Sequence, residues 1–80
     1  MIKVEVRLYG SLKEYLQGAE ADRPFVIELR DETTIEQLIT ALGIPAEEVV
    51  VTLVNSIAKS KNYYLKDRDV IDAFPPPIGG

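Results

Sequence analysis

The chain has 80 residues, a formal net charge of −4, and 46% hydrophobic and 28% charged residues. This length allows one domain with one modest core, and the balance of apolar and charged residues excludes general disorder. Cysteine and histidine are both absent, which excludes disulfides, a cysteine nucleophile and thiolate metal sites, and argues against a self-contained hydrolase or metalloenzyme.

The charge pattern argues against nucleic acid as a partner. Binding to a phosphate backbone calls for a stripe of Lys and Arg residues, whereas the longest basic feature is the segment KSK at residues 59–61. No apolar run approaches the length of a membrane span, and the alternating start of the chain is unlike a signal peptide. We therefore expect a cytoplasmic protein with neither a nucleic-acid nor a membrane partner.

The first predicted strand covers residues 2–9, where apolar and polar side chains alternate. One face is apolar and the other polar; the apolar face comprises Ile2, Val4, Val6 and Leu8, and the polar face comprises Lys3, Glu5, Arg7 and Tyr9. Residues 11–18 then predict a short helix, with Ser11 as its N-cap and Gly18 as its stop.

The main helix is predicted at residues 34–42, because apolar residues recur there at helical spacing. Thr33 and Glu36 have the spacing of a capping box, in which each side chain satisfies a backbone N–H of the first turn. Gly43 stands where the end of a helix favours a left-handed residue, and Pro45 follows it.

Three more strands are predicted at residues 25–30, 49–55 and 70–74. The middle one is apolar enough on both faces to lie inside a sheet, and Pro75 ends the last one because proline cannot donate to a sheet ladder. Short edge pieces are expected at residues 56–62 and 63–65. The first two strands are expected to be antiparallel neighbours.

This order predicts a two-layer α+β domain, in which a mixed sheet wraps around one main helix, as in the ubiquitin-like β-grasp arrangement. We assign residues 1–74 to this domain and residues 75–80 to an extended tail. Asp69 and Asp72 precede a stretch without charged side chains, so this end of the molecule is expected to be anionic and to attract a basic partner surface.

The tail reads PPPIGG. Its prolines hold φ near −65° and favour an extended path of about 3.1 Å per residue, while glycines without a Cβ atom can thread a narrow channel. A Gly-Gly end by itself fits either a chemically used terminus or ordinary fraying.

Four segments carry a resemblance to a known family: VEVRLYGSLKEYL, TTIEQLITAL, VTLVN and LKDRDVIDAFPPPIGG. Together they cover nearly the whole chain, which resembles the sulfur-carrier proteins related to ubiquitin. FPP before the final glycines is most similar to the small subunit of molybdopterin synthase, and less so to the sulfur carrier of thiamine biosynthesis. Arg68, Pro77 and Ile78 depart from the family pattern; Arg68 replaces a glycine between two aspartates.

The resemblance implies that this chain is not catalytic alone. An activating enzyme would adenylate the carboxylate of Gly80 with ATP and magnesium, and a sulfur donor would convert it to a thiocarboxylate. Gly79 would thread into a partner active site, and the partner-binding residues would be Phe74, Pro75, Pro76, Pro77 and Ile78. The large subunit of molybdopterin synthase would be the partner, in a heterotetramer, and this chain would itself hold no cofactor and no metal.

Other interpretations stay open at this stage. The sulfur could serve thiamine or another sulfur-containing product, or Gly80 could be joined to lysines of other proteins, as in a ubiquitin-like modifier. The tail could also be inert on a plain interaction module. Phe74 fits either a core residue or a partner contact, and Asp67 and Asp69 fit a surface turn better than a metal site.

Overall fold

The computed structural model describes residues 1–16 and 23–77. In these ranges a five-stranded sheet packs against one α-helix, and two short 3₁₀ helices lie in the connections. The strands are β1 (Ile2–Leu8), β2 (Phe25–Leu29), β3 (Val51–Val54), β4 (Ile57–Ala58) and β5 (Val70–Phe74); the helix is α1 (Ile35–Ala41), and the 3₁₀ helices are Gly10–Tyr15 and Ala46–Glu48.

The sheet is mixed, as predicted, with strand order β2-β1-β5-β3-β4. β1 pairs with β2 in antiparallel and with β5 in parallel orientation, and β3 is antiparallel to both β5 and β4. β5 therefore lies at the centre of the sheet, between the first strand of the chain and the third. The segment that leads into the tail is thus held on both sides by strand hydrogen bonds.

One face of the sheet and the apolar side of α1 form the core. Alternation along β1 and β5 places every second side chain on that face, and the helical spacing of α1 aims its apolar residues at it. The buried hydrophobic residues of these three elements are Val4, Val6, Leu8, Ile35, Leu38, Ile39, Ile71 and Ala73. The opposite face is called the open face below; from β3 and β5 it carries Val51, Leu53, Val70, Asp72 and Phe74.

The capping box of α1 lies one residue later than predicted. Thr34, not Thr33, is the N-cap: its hydroxyl accepts a hydrogen bond from the Gln37 backbone N–H at 3.2 Å, and the Gln37 side chain accepts one from the Thr34 N–H at 2.9 Å. The Thr33 hydroxyl instead donates to the Arg30 carbonyl at 2.7 Å. Gly43, with φ +80°, ends the helix in the left-handed conformation as predicted.

The short helix after β1 is a 3₁₀ helix that begins at Gly10, so the prediction of Ser11 as an N-cap was wrong. Tyr9 takes the N-cap position in extended conformation, without a side-chain capping bond. The chain turns at Gly10, whose φ of +56° suits glycine, and this turn brings Leu12 into the core, where it is fully buried. Gly18 lies outside the described residues.

β3 is shorter than predicted and lies inside the sheet, between β5 and β4, as predicted. It is not buried on both faces. Thr52 and Val54 point into the core, whereas Val51 is 43% exposed on the open face. Val51 is exposed because, in the described part of the chain, no element covers the open face of β3. The predicted edge pieces are β4 and, at Tyr64, an isolated bridge to Thr34 in place of a strand.

The turn that precedes β5 and the side chain of Asn55 together fix the position at which β5 begins. The Asn55 side chain donates to Asp69 Oδ1 at 3.0 Å and accepts from the Val70 N–H at 3.0 Å. The Lys66 N–H donates to Asp69 Oδ2 at 2.8 Å. These bonds lock the β3–β4 hairpin to the turn, so the start of the last strand is fixed in position.

Candidate functional site

The predicted partner-binding residues lie where β5 ends. Phe74 is the last residue of the strand; it and the two prolines that follow are half-buried, and Pro77 is exposed. Ile78, Gly79 and Gly80 lie outside the described residues, so their roles stay predictions. We call the group formed by Tyr9, Gly10, Asp72, Phe74 and Pro75 the tail base.

Phe74 does not belong to the hydrophobic core. Its neighbours in β5, Ala73 and Ile71, are directed to the core, and alternation places Phe74 on the open face. There its ring stacks on Tyr9, with ring centroids 4.4 Å apart and planes inclined by 12°. The core interpretation of Phe74 was therefore wrong, and its ring is available to contact a partner.

Tyr9 joins the two central strands at the tail base. Its backbone N–H donates to the Ala73 carbonyl at 3.2 Å, and its hydroxyl donates to Asp72 Oδ1 at 3.0 Å. The hydrogen bond to Asp72, and then partial burial, raise the pKa of the Tyr9 hydroxyl, because both favour the neutral phenol. Tyr9 is therefore a hydrogen-bond donor throughout the physiological range.

The absence of a side chain at Gly10 leaves space for the ring of Pro75. A Cβ atom added at Gly10 would lie 2.9 Å from Pro75 Cγ, closer than carbon atoms pack. The proline ring can lie here only because residue 10 has no side chain. The turn after β1 and the first residue of the tail therefore fit against each other directly.

Cationic as well as anionic side chains lie near the tail base. Asp72 is 7% exposed and bound to Tyr9, and Asp69 is bound within its turn. A surface hollow of about 140 Å³ beside Tyr9 is lined by cationic side chains, among them Arg7, Lys13 and Arg23. The surface around the tail base thus has both signs of charge.

The two aspartates of the turn accept hydrogen bonds from backbone N–H groups and, at Asp69, also from the Asn55 side chain. Asp67 Oδ1 accepts from the Lys3 N–H at 2.8 Å, and both Asp69 oxygens accept hydrogen bonds. Among the described residues, no group of three or more carboxylates converges into a possible metal site. These aspartates shape the turn that leads into β5.

In residues 1–16 and 23–77, no helix is both long enough and apolar enough to cross a membrane.

Tyr9, Gly10 and Asp72 were not predicted as site residues. Sequence alternation placed Tyr9 on the polar face of the first strand, but nothing in the sequence states that β1 and β5 are parallel neighbours. The register, which pairs Arg7 with Asp72 and Leu8 with Ala73, brings the ends of the two strands together. That pairing is the missing information, because it decides which residue faces Phe74.

Solved structures with this fold come from several organisms. The small archaeal modifier protein 1 of Haloferax volcanii is 17% identical, with a TM-score of 0.72 over 96% of this chain and 100% of that one. A putative molybdopterin converting factor subunit 1 from Pyrococcus furiosus is 23% identical, with a TM-score of 0.71 over 96% and 100%. A complex of subunits 1 and 2 of the molybdopterin-converting factor from Helicobacter pylori contains a chain that is 27% identical, with a TM-score of 0.61 over 99% and 100%.

These likenesses confirm the predicted ubiquitin-like β-grasp fold. No protein of curated function matches the sequence significantly. The family described as Mut7-C ubiquitin matches residues 1–77, almost the entire chain. The chain therefore belongs to the Mut7-C ubiquitin family.

Proposed function

We propose that this protein is a sulfur carrier whose working group is the carboxylate of Gly80. The observation that carries the proposal is the path of the chain beyond β5: three consecutive prolines lead from the central strand to an exposed Pro77. Since the chain contains neither cysteine nor histidine, a chemically used terminus is a better candidate for reactivity than any side chain.

The chemistry requires a partner that uses ATP. An oxygen of the Gly80 carboxylate attacks the α-phosphorus of ATP; the α–β phosphoanhydride bond breaks and pyrophosphate leaves. Hydrosulfide then attacks the carbonyl carbon of the acyl adenylate, the C–S bond forms, the C–O bond to AMP breaks, and a thiocarboxylate remains. A persulfide donor would need one additional thiol to reduce the acyl disulfide that it forms. The carboxylate is a poor electrophile until AMP becomes its leaving group.

The finer assignment is the small subunit of molybdopterin synthase, which donates its sulfur to a cofactor precursor within a large subunit. Two fold neighbours support this assignment: a putative molybdopterin converting factor subunit 1 and a complex of subunits 1 and 2 of a molybdopterin-converting factor. The large subunit would receive the tail in a heterotetramer. A carrier that supplies the thiazole of thiamine or another sulfur-containing product would use the same chemistry at Gly80.

A second candidate function is protein modification. A protein named as a modifier, the small archaeal modifier protein 1 of Haloferax volcanii, has the same fold over 96% of this chain. In this case the activated Gly80 would form an isopeptide bond with a lysine of a target protein, with AMP as the leaving group. The two functions share the adenylation step and differ in the nucleophile that follows it.

Intact-mass spectrometry of the protein from its own host tests the proposal. The carrier predicts a chain that ends at Gly80 and a fraction in which one oxygen is replaced by sulfur; a variant without Gly80 should lack that fraction and should not support cofactor production. A ladder of heavier conjugates on a parallel blot would favour the modifier. The absence of both signals would contradict the sulfur-carrier proposal, and so would normal cofactor production without Gly80.

To separate the pathways, purified large subunit should be tested for binding to this chain. Binding that is lost when Pro77 and the residues beyond it are removed would support the molybdopterin assignment. A carrier that gains sulfur but does not bind a large subunit would instead serve another product.

A further inference from the structure

We propose that Tyr9 is a positioning residue for the tail, which acts through Phe74 and Pro75 to fix the direction in which the chain leaves the sheet. The inference rests on the proposed function, in which the tail beyond Phe74 is the part that enters partner enzymes. Three contacts support it: a hydrogen bond and a ring stack made by Tyr9 itself, and the packing of the Pro75 ring against the next residue, Gly10.

The first contact fixes the Tyr9 ring itself. Its hydroxyl donates to Asp72 at 3.0 Å and its backbone donates to Ala73 at 3.2 Å. Both partners belong to β5, the central strand, and Asp72 is 7% exposed. A ring anchored at both the backbone and the hydroxyl has little rotational freedom, although Tyr9 is 37% exposed.

The second contact transfers this order to the end of the strand. The Tyr9 and Phe74 rings are nearly parallel, inclined by 12° with their centroids 4.4 Å apart, at the short end of the separations of roughly 4.5–7 Å at which aromatic pairs attract each other. Phe74 is bonded directly to Pro75. When its ring is held against Tyr9, the backbone at the strand end is restrained as well.

The third contact sets the direction of the first proline. Pro75 Cγ lies where a side chain on residue 10 would be, 2.9 Å from the position of an added Cβ. Each proline in turn holds φ near −65°. A direction set at Pro75 is therefore carried through Pro76 and Pro77 as a stiff segment, about 9 Å long in polyproline II geometry.

A fixed exit direction would lower the entropy lost when the tail enters a narrow channel in a partner. The arrangement also explains why the residue that comes directly after β1 on the open face, Tyr9, is aromatic. Nothing in the core requires Tyr9, since the core residues of β1 are Val4, Val6 and Leu8. Its contacts are directed to Asp72, Ala73 and Phe74, at the end of the strand that precedes the tail.

Nuclear magnetic relaxation of the full-length protein tests the proposal directly. The Cα–Hα order parameter of Pro75 should lie near the rigid value of about 0.85 and should fall below about 0.6 in Tyr9→Leu, which keeps apolar bulk but loses both the stack and the hydroxyl. Tyr9→Phe keeps the stack and should give an intermediate value. Tyr64→Leu, at a ring that is 60% exposed on another edge, is the matched control and should leave Pro75 unchanged.

A kinetic assay supplies the functional measurement. With the ATP-dependent activating enzyme of the same organism, Tyr9→Leu should raise KM for this chain about tenfold, because the tail must then be ordered on binding, while kcat stays within about twofold. Thermal unfolding of each variant reports whether the fold is retained. If Tyr9→Leu does not fold, Tyr9→Phe decides through the same two measurements.

The outcomes separate the two proposals. An unchanged Pro75 order parameter in a folded Tyr9→Leu protein would overturn the positioning role; this includes the case in which KM rises, because Tyr9 would then contact the partner directly. If the wild-type chain gains no sulfur, the proposed function fails, and the order parameters still decide whether Tyr9 orders the tail.

Discussion

At the residue scale, Arg68 adopts a backbone conformation that favours glycine. Its φ is +71°, and its side chain is 92% exposed, with only a long ion pair to Asp67 at 3.8 Å. Its backbone N–H donates to the Lys3 carbonyl, so the turn is held in place against the local preference. Arg68 thus has a left-handed backbone at the position where the family pattern has glycine.

We predict that Arg68→Gly stabilises the protein by about 0.5–1 kcal/mol, because relief of a left-handed cost of about 1–2 kcal/mol exceeds the additional chain entropy of glycine in the unfolded state. Urea unfolding with an unchanged m-value measures this. Arg68→Ala retains a Cβ atom and is the matched control, so it should not stabilise. An equal gain in both variants would show that the arginine side chain, rather than the backbone, is unfavourable.

Tyr9 should make the stability of the protein depend on alkaline pH. The bond to Asp72 and partial burial raise the pKa of its hydroxyl above the ordinary 10.0. A raised folded-state pKa means that the stabilisation is fully present below pH 10.0 and is lost as pH rises through the folded pKa. The hydrogen bond therefore stabilises the folded protein at neutral pH, and this stabilisation is lost in alkali.

The difference in free energy of unfolding between the wild type and Tyr9→Phe should accordingly be constant below about pH 10 and shrink above it. Urea titrations at a series of pH values provide the measurement. If the difference is still undiminished at the highest pH where both proteins unfold reversibly, the hydroxyl does not make this contribution.

At the element scale, α1 is short and depends on its first turn. A helix of seven residues has little intrinsic stability, so packing of Ile35, Leu38 and Ile39 and the capping bonds together hold it. The burial of Ile35 and Leu38 sets where the helix begins, and this makes Thr34 the residue before the first turn. Thr33 has the same side chain and lies outside the helix.

We predict that Thr34→Ala lowers the free energy of unfolding by about 1 kcal/mol, because it leaves the Gln37 N–H without its cap. Thr34→Ser keeps the hydroxyl and should cost less. Chemical denaturation of the two variants beside Thr33→Ala gives the comparison. A larger loss for Thr33→Ala than for Thr34→Ala would restore the capping box first expected from the sequence.

At the scale of the whole molecule, the fold is complete before the tail begins. The buried hydrophobic residues lie between Val4 and Ala73, and the last strand closes the sheet at its centre. The prolines then leave the domain beside the turn that follows the first strand.

We expect residues 1–74 to fold alone, with a free energy of unfolding within about 1 kcal/mol of the full chain, since none of the described tail residues, 75–77, belongs to the hydrophobic core. Ile71→Ala is the contrast: Ile71 is 1% exposed in the central strand, and its loss should cost about 2–5 kcal/mol. Circular dichroism during urea unfolding measures the stability of the 1–74 chain and of Ile71→Ala. An unfolded 1–74 chain would mean that the contact of Pro75 with Gly10 is required for folding.

The sequence by itself determined the elements and the class of fold, because alternation in β1 and helical spacing in α1 are local patterns with a direct physical cause. It also identified the bounds of β5 and the resemblance that raised the question of the tail. Local patterns set which face of an element is apolar, and in a small domain the apolar faces must meet.

Tertiary structure decided what spacing alone left ambiguous: the capping residue, the exposed side of β3 and the surroundings of Phe74. These depend on which strands are neighbours and in which register, and sequence patterns of period two are the same for either neighbour. The parallel pairing of β1 with β5 brings Tyr9, Gly10 and Asp72 to the end of the last strand. The sequence indicated the chemistry proposed for the tail, whereas the residues proposed to fix its direction were found only in the folded chain.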